Sequence, residues 1–360
     1  MKKHKEISNI IKDEIKSGNY QIGDKIQGEN ILSERFKVSR QTIRRALSTL
    51  EHEGYLERIQ GSGTYVKRTS IQNSSQNKTI CVMTTYLDDY IFPFIISGIE
   101  KVLAAAGYEI SLKLTRNKIT TERSNLISLI NSNICGLIVE GTKTALPNPN
   151  LDLYKELNNI PILFINSFYH QLDNEQLNYI VVDDKGGAYK AVKHLIDNGH
   201  KKISGIFKVD DIQGHSRFDG FVTALYDVGL SFDESNVIWY STETRQDIFS
   251  VENAQALVDK LKDCTGVVCY NDEIAVLLIR ALQTINKKVP DDISIVSFDN
   301  SQLSHLFKMG ITSISHPGSE LGEKAANSIL KMIEDPSTRI HYTFDTELVL
   351  RDSVKNLRNP

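Results

Sequence analysis

The 360-residue sequence predicts an α/β protein in two parts: a small helical head ending in a β-hairpin, and a larger body of parallel sheets wrapped by helices. Three observations point there. Apolar residues recur at helical spacing through the first fifty positions, and two short strand-like runs then flank Gly61-Ser62-Gly63. From Thr79 onward, short apolar runs alternate with amphipathic stretches, the pattern of strands and crossover helices. Charge divides the same way. Residues 1–68 hold eight Lys and six Arg against nine acidic residues, a net +5, whereas the remainder sets 28 basic against 36 acidic residues, a net −8.

In the head, a first helix is expected over Lys5–Lys16, with Ile7, Ile10, Ile11 and Ile15 on one face and Gly18-Asn19 ending it. A second runs over Glu29–Phe36, burying Ile31, Leu32 and Phe36. The third starts at Ser39, a good N-cap, and runs to Glu53, with Gly54 just past its end. Tyr55–Gln60 and Thr64–Lys67 then form a hairpin about the glycine turn. Arg68–Lys78 is rich in Ser, Asn and Gln and reads as a flexible linker.

In the body, strands are expected at Ile80–Met83, Ile110–Leu114, Cys135–Val139, Pro161–Ile165, Ile180–Val182, Ile203–Phe207, Val237–Trp239, Gly266–Tyr270 and Ile293–Phe298. Helices are expected at Phe94–Ala106, Ala188–Asp197, Arg217–Val228, Ala254–Lys262 and Ile274–Asn286. Some 280 residues are too many for one small doubly wound sheet, which implies two lobes.

Composition narrows the function classes. Hydrophobic residues are 40% and charged residues 24%, an ordinary globular balance. No run of eighteen apolar residues is present, so no transmembrane helix and no membrane partner are expected. The basic start is followed by an amphipathic stretch, not the apolar core of a signal peptide. Cys81, Cys135, Cys264 and Cys269 form no Cys-x-x-Cys pair, and three lie in strand-like runs, so reduced thiols and a cytoplasmic location are expected. Neither a metal nor a cofactor is expected. Phosphate-binding loops, nucleophile elbows and His-Glu-x-x-His are missing, which argues against an enzyme. His194 and His200 fit a helix face and a turn better than metal ligands.

The head carries the clearest chemistry. Arg35–Leu50 contains five basic residues and no acid. On a helix from Ser39, Ile43, Ala46, Leu47 and Leu50 share one face, and Gln41, Arg44, Arg45 and Ser48 the other, with Arg40 at the N-terminal flank. A helix fits the major groove, where Arg reads guanine and Gln reads adenine in bidentate fashion. The plain alternative is a solvated charged face. The preceding short helix, the tight Lys37-Val38-Ser39 turn and the following hairpin favour a winged helix-turn-helix on double-stranded DNA. The Gln60–Thr64 turn is small enough for backbone amides to approach phosphates, or for Gln60 to enter the minor groove.

Glu29–Leu47 and Tyr55–Val66 resemble the DNA-binding domain of the GntR family of bacterial regulators. The resemblance implies DNA contacts from Glu29, Arg40, Gln41, Arg44, Gln60 and Gly61; Lys3 and Arg45 complete the expected set. The sequence departs from the family at Gln27-Gly28, where Pro-Ser usually precedes the glutamate.

In the body, polar groups sit just past strand ends, where open α/β sheets bind ligands: Asp89, Tyr90 and Phe92, Glu140, Asn166, Asp183, Asn271 and Asp299. Carboxylates, amides and an aromatic face suit a sugar. Taken singly, each could be a turn or cap residue. Gly136–Glu140, His194–Ile203, Arg217–Phe221, Cys269–Ala275 and Val289–Asp299 resemble the LacI/GalR repressors and periplasmic sugar-binding proteins. The combination of the two domain types is similar to bacterial repressors of arabinose utilisation. The resemblance implies a two-lobed periplasmic-binding-protein-like (type I) domain, with Arg217, Asn271 and Asp299 on sugar hydroxyls and Asp89, Phe92, Asn166 and His316 at further pocket positions.

The domains expected are therefore a head at 1–68, a linker at 69–78, and an effector-binding and dimerisation body at 79–360. Lobe one would span about 79–200 plus 313–335, and lobe two about 201–312 plus 340–360. The function expected is a homodimeric repressor released from operator DNA by a small sugar, L-arabinose first among them. Another pentose or hexose, or a solute-binding receptor for transport, is the alternative. A receptor of that kind has no use for a basic head.

Overall fold

The computed structural model describes residues 3–16, 18–21, 23–52, 54–59, 61–67, 78–87, 91–172, 177–261 and 263–358. The chain divides into two compact units, Met1–Asn77 and Lys78–Pro360. No helix among the described residues is long and apolar enough to cross a membrane.

The first unit contains α1 (Lys3–Lys16), α2 (Glu29–Phe36) and α3 (Arg40–His52), then β1 (Leu56–Ile59) and β2 (Gly63–Val66), paired antiparallel. The Ser39 hydroxyl accepts from the Thr42 amide at 3.3 Å, the N-cap interaction its position implies. Lys37 ends α2 in the left-handed region at φ 50°, which lets the turn into α3 close within three residues. At the start of α2, Gly28 takes the N-cap position with extended backbone and no side-chain cap, so the departure from Pro-Ser leaves the helix start in place. Glycine at such a cap costs only a few tenths of a kcal/mol against serine.

Ile7, Ile11, Ile15, Leu32, Ile43, Leu47, Leu50 and Leu56 close one core. Two residues expected there are outside it: Ile10 is 43% exposed and Ile31 55%. The buried stripe of α1 follows the i+4 row through Ile7, Ile11 and Ile15, and the short α2 buries Leu32, with Phe36 packed at the margin. Ile10 and Ile31 each lie one helical step, about 100°, off those rows. A further edge, invisible in the sequence, pairs with β2: Ile26 N–H donates to the Thr64 carbonyl and Val66 N–H to the Asp24 carbonyl, each at 2.9 Å.

The second unit holds two six-stranded sheets. In the first, β3 (Thr79–Thr84), β4 (Glu109–Leu114), β5 (Gly136–Val139), β6 (Ile162–Ile165), β7 (Tyr179–Val182) and β13 (His341–Phe344) run parallel in the order β13-β7-β6-β5-β3-β4. Helices α4 (Phe92–Ala105) and α12 (Gly318–Glu334) cover one face, and α5 (Ile119–Ile130) and α6 (Leu151–Glu156) the other. Strand alternation explains both layers. Ile80 and Val82 of β3 point to α4 and α12, whereas Cys81 and Met83 point to α5 and α6. The α4–α12 contact is glycine-to-backbone: a Cβ on Gly98 would lie 2.2 Å from the Ser319 carbonyl oxygen, and one on Gly322 2.1 Å from that of Ile95.

The second sheet has the order β14-β12-β11-β10-β8-β9, formed by β8 (Ile203–Lys208), β9 (Ile238–Tyr240), β10 (Gly266–Cys269), β11 (Ser294–Asp299), β12 (Thr312–Ser315) and the antiparallel edge β14 (Leu348–Val349). Helices α7 (Asp184–Asp197) and α8 (Ile212–Tyr226) pack on one face; α10 (Ala254–Lys260) and α11 (Asp272–Thr284) pack on the other. The short α9 (Arg245–Ile248) lies between β9 and α10.

The lobe limits differ from those expected. The chain crosses between sheets at Asp183, before α7 and not after it; α7 buries Ala188, Ala191, Val192 and Leu195 against Phe207, Val268 and Val296 of the second sheet. Strand β12 belongs to the second sheet and β13 to the first, so the other crossings fall near His316 and Thr346.

The core assignment of α1 predicts a sharp contrast. Ile11→Ala should destabilise the first unit by about 2–5 kcal/mol, whereas Ile10→Ala should cost about 0.5 kcal/mol or less. Amide exchange over residues 3–66 under native conditions measures both; equal effects would contradict the packing.

Candidate DNA-binding face and ligand cleft

Arg40, Gln41, Arg44 and Arg45 are all exposed on α3 opposite its buried Ile43–Leu47–Leu50 face. Glu29, at the start of α2, organises two cations beside them. Arg44 donates Nε to Glu29 Oε1 at 3.1 Å and a terminal nitrogen to Oε2 at 2.9 Å, while Arg58 of β1 lies 3.7 Å away. The Arg44 hydrogen bonds, with the charges of Arg44, Arg58 and Arg40, hold the Glu29 carboxyl below its ordinary value against the opposing effect of burial. Glu29 is therefore engaged with Arg44, another of the residues that the resemblance implies in DNA contact. Fixing one guanidinium in a plane prepares it for bidentate pairing with a base or phosphate. The sequence reading missed Arg58, which a strand pattern alone does not distinguish from any exposed residue. Gly61 forms the wing turn with φ 77°. Lys3 is exposed at the start of α1. Gln60 lies outside the described residues.

In the second unit, both sheets wind alike: the chain starts next to one edge and reverses direction after its second strand. Ligands in such sheets gather at the reversal, beyond the strand C-termini. The reversal lies between β3 and β5 in the first sheet and between β8 and β10 in the second. Lys208, the last residue of β8, and Thr85, Glu140 and Tyr270, just past β3, β5 and β10, line one cavity of about 100 Å³. Phe92, Asn166, Arg217, Asn271, Asp299 and His316 share it. Of the expected ligand set, these and Glu140 are brought together. Asp183 is not: its side chain accepts from the Gly186 amide at 2.9 Å and caps α7. Asp89 and Tyr90 lie outside the described residues.

Arg217 is the centre of the cleft. Its side chain is 4% exposed; Nε donates to Asp184 at 2.7 Å, Nη1 to the Tyr270 carbonyl, and Nη2 lies 3.8 Å from Asp299. The guanidinium is sandwiched between the Phe298 and Tyr270 rings, at 4.1 and 4.6 Å from their centroids. Burial works against the charged form, but Asp184 and Asp299 outweigh it and hold the guanidinium's pKa above its ordinary value. Burial raises Asp184 to about 6, against the pull of Arg217. Behind Asp299, Asp272 accepts from the Ser301 amide at 2.7 Å and from the hydroxyls of Ser297, Ser301 and Ser313.

A second chain of groups crosses the cleft from the first sheet. His316 Nε2 lies 3.2 Å from Asn166 Oδ1, Asn166 donates to Glu140 Oε1 at 3.2 Å, and Glu140 Oε2 accepts from the Thr85 amide at 3.0 Å. Burial lowers His316 to about 4, so the imidazole is neutral at pH 7, with its Nε2 proton on Asn166. Asn166 and Asp299 both have left-handed backbone, at φ 61° and 92°. Such conformations in non-glycine residues persist where the surroundings over-determine them, and cluster at binding sites.

Sequence reasoning missed four charged contributors. Lys208 pairs with Asp211 at 2.6 Å, and Arg245 with Glu273 at 2.6 Å; all four line the cavity with Tyr240 and Tyr270. Lys208 ends an apolar strand and could have been found by the rule that found Asn166; Arg245 has no comparable signal. The cleft thus offers cations, carboxylates, amides and aromatic faces within one small volume. That is the equipment for polyhydroxy compounds.

Burial raises Glu140 from 4.5 to about 7, with the hydrogen bonds from Thr85 and Asn166 opposing. A carboxyl whose folded value lies above its unfolded value stabilises fully below the unfolded value and loses that contribution as pH rises through the folded one. The melting temperature of the native protein relative to Glu140→Gln should therefore fall between pH 4.5 and pH 7. A difference independent of pH would show that Glu140 is ionised throughout.

Comparison with known proteins agrees with this geometry. Residues 3–66 match the family model described as bacterial regulatory proteins, gntR family, and residues 192–354 match the periplasmic binding protein-like domain. The chain is 38% identical over 336 residues to an arabinose metabolism transcriptional repressor of Halalkalibacterium halodurans, covering 91% of this chain and 89% of the relative. A repressor of the same name from Geobacillus stearothermophilus is 37% identical, covering 99% and 98%. Among solved structures, a LacI family regulator from Enterococcus faecium with bound ribose is 25% identical with TM-score 0.65, covering 78% of this chain and 100% of its own. The regulator CcpA of Lactococcus lactis shares the fold at TM-score 0.66 and 24% identity, covering 78% and 100%. A gntR-type head, a periplasmic-binding-protein-like body and near full-length likeness to these repressors together place the chain in the family of arabinose metabolism transcriptional repressors, regulators and not enzymes.

Proposed function

We propose that this repressor binds operator DNA as a homodimer in the cytoplasm and releases it when L-arabinose enters the cleft around Arg217. The observation that carries the ligand half is the caged guanidinium. Asp184 and Asp299 hold it in place, and its neighbours Asp299, Asn271 and Glu273 turn acceptors and donors toward the same small cavity. A planar, fixed donor bordered by carboxylates matches the spacing of adjacent ring hydroxyls. The relatives' names support arabinose as the occupant, and the ribose in the Enterococcus faecium regulator supports a pentose-sized ligand.

On the DNA side, the exposed α3 face enters the major groove, and the wing reaches the neighbouring backbone. Arg44→Ala and Arg40→Ala should each weaken specific operator binding by about 1–3 kcal/mol, the usual size for a bidentate base contact. Fluorescence anisotropy on operator and random duplexes separates specific from electrostatic loss; unchanged operator affinity in both variants would remove α3 as the reader.

On the sugar side, Asp299→Ala should abolish measurable L-arabinose binding in isothermal titration while operator affinity stays within about twofold. Removing one member of a buried pair leaves a desolvated charge, at a cost of several kcal/mol. Wild-type affinity in Asp299→Ala would refute the site. Loss of operator affinity and melting temperature together would make Asp299 a structural residue.

A further inference from the structure

Beside the ligand cavity, the two lobes of the second unit meet through a compact set of polar contacts. From the first lobe come Asn117, after β4, and Lys143–Ala145, after β5. From the second come Asp210–Ile212, after β8, and Thr242–Glu243, after β9. Asn117 is fully buried, and its side chain is used twice over. Nδ2 reaches Thr242 Oγ1 at 2.7 Å and Asp211 Oδ1 at 3.3 Å across the gap, while Oδ1 accepts the Lys143 amide at 2.8 Å on its own side. Lys143, with a side chain only 13% exposed, donates to Glu243 and lies 3.6 Å from Asp210. Two backbone amides complete the contact: Ala145 N–H to the Asp210 carbonyl at 3.3 Å and Ile212 N–H to Thr144 Oγ1 at 3.1 Å.

Two features mark this contact as more than incidental. Arg116, Asn117 and Lys143 all have left-handed backbone, at φ 51°, 53° and 47°, and the latter two hydrogen-bond to each other across their loops. Three non-glycine residues in that region on one small surface imply surroundings that fix them. The contacts named are also all hydrogen bonds or ion pairs. Each such contact is of modest net worth, so several together can favour the closed cleft while still leaving it able to open. The set touches the ligand's walls as well, since Asp211 and Thr242 line the cavity while Asn117, Lys143 and Glu243 do not.

We infer that Asn117 and Lys143 form a latch with Asp210, Asp211, Thr242 and Glu243 that holds the lobes closed before any ligand arrives and so sets the protein's sensitivity to sugar. The latch residues are positioning residues: they fix the population of the closed cleft, and the apparent affinity of a ligand that needs that cleft scales with the population. The part concerning sugar rests on the function proposed above; the part concerning closure does not.

The test is hydrogen–deuterium exchange on the full-length protein without sugar, read at the peptides containing Ala145 and Ile212, in wild type, Lys143→Met and Glu243→Gln. Glu243 is 60% exposed, so its variant leaves the core intact. Exchange at both sites should quicken, about tenfold in Lys143→Met and about threefold in Glu243→Gln, with β5 and β8 unchanged. L-Arabinose affinity, measured separately, should weaken by matching factors. Unaltered exchange at Ala145 and Ile212 in both variants would overturn the latch. Quickened exchange in a protein that binds no L-arabinose would keep the latch and refute the sugar assignment alone.

Discussion

A buried guanidinium is the constraint on which the second unit depends. Arg217 sits on α8 almost out of contact with water, and a charge so placed is tolerable only when every donor finds a partner. Its partners come from α7 (Asp184), from the loop after β10 (Tyr270) and from the end of β11 (Phe298 and Asp299). Satisfying one side chain thus fixes the relative positions of four segments, three of which (α8, the loop after β10 and the end of β11) line the cavity. Asp299 has a left-handed backbone, and nearby Asp272 is tied to the serine hydroxyls of Ser297, Ser301 and Ser313. The cleft is rigid on this side because its charges are mutually dependent.

The other wall is built differently. Glu140, Asn166 and His316 form a neutralising chain in which burial favours the uncharged carboxyl and imidazole. One lobe therefore presents a fixed charge and the other a set of hydrogen-bonding groups of low charge. A polyhydroxy ligand bridges such walls without bringing any charge of its own to be desolvated, which is a reason for a sugar over an acid or an amine.

Much of this was legible in the sequence because the signals were local. The 3.6-residue period located α1 to α3, Ser39 located the start of α3, and β-branched runs located most strands of both sheets. What failed was what depends on distant partners. Ile10 and Ile31 look as apolar as their buried neighbours, and only the packing direction of each helix separates them. Strand β12, Thr-Ser-Ile-Ser, has no apolar run, and β13 is a largely exposed edge; with those two unseen, the lobe limits could not be placed. Asp183 and Asp184 are adjacent and alike in sequence. One caps a helix and the other neutralises Arg217, a difference fixed by which way the α7 start faces. Arg217, Asn271 and Asp299 were found because their neighbours form a recognisable motif, whereas Arg245 and Glu273 meet only through the fold.

The central claim is that filling the cleft in one unit lowers the hold of the other unit on DNA. The most direct measurement is a titration of L-arabinose into the preformed complex of wild-type protein with a fluorescent operator duplex, followed by anisotropy at fixed salt. The account predicts complete release, with a midpoint that tracks the sugar's own dissociation constant and shifts upward as protein–operator affinity is raised by lowering salt. Operator that stays bound while calorimetry shows the cleft saturated with sugar would contradict it.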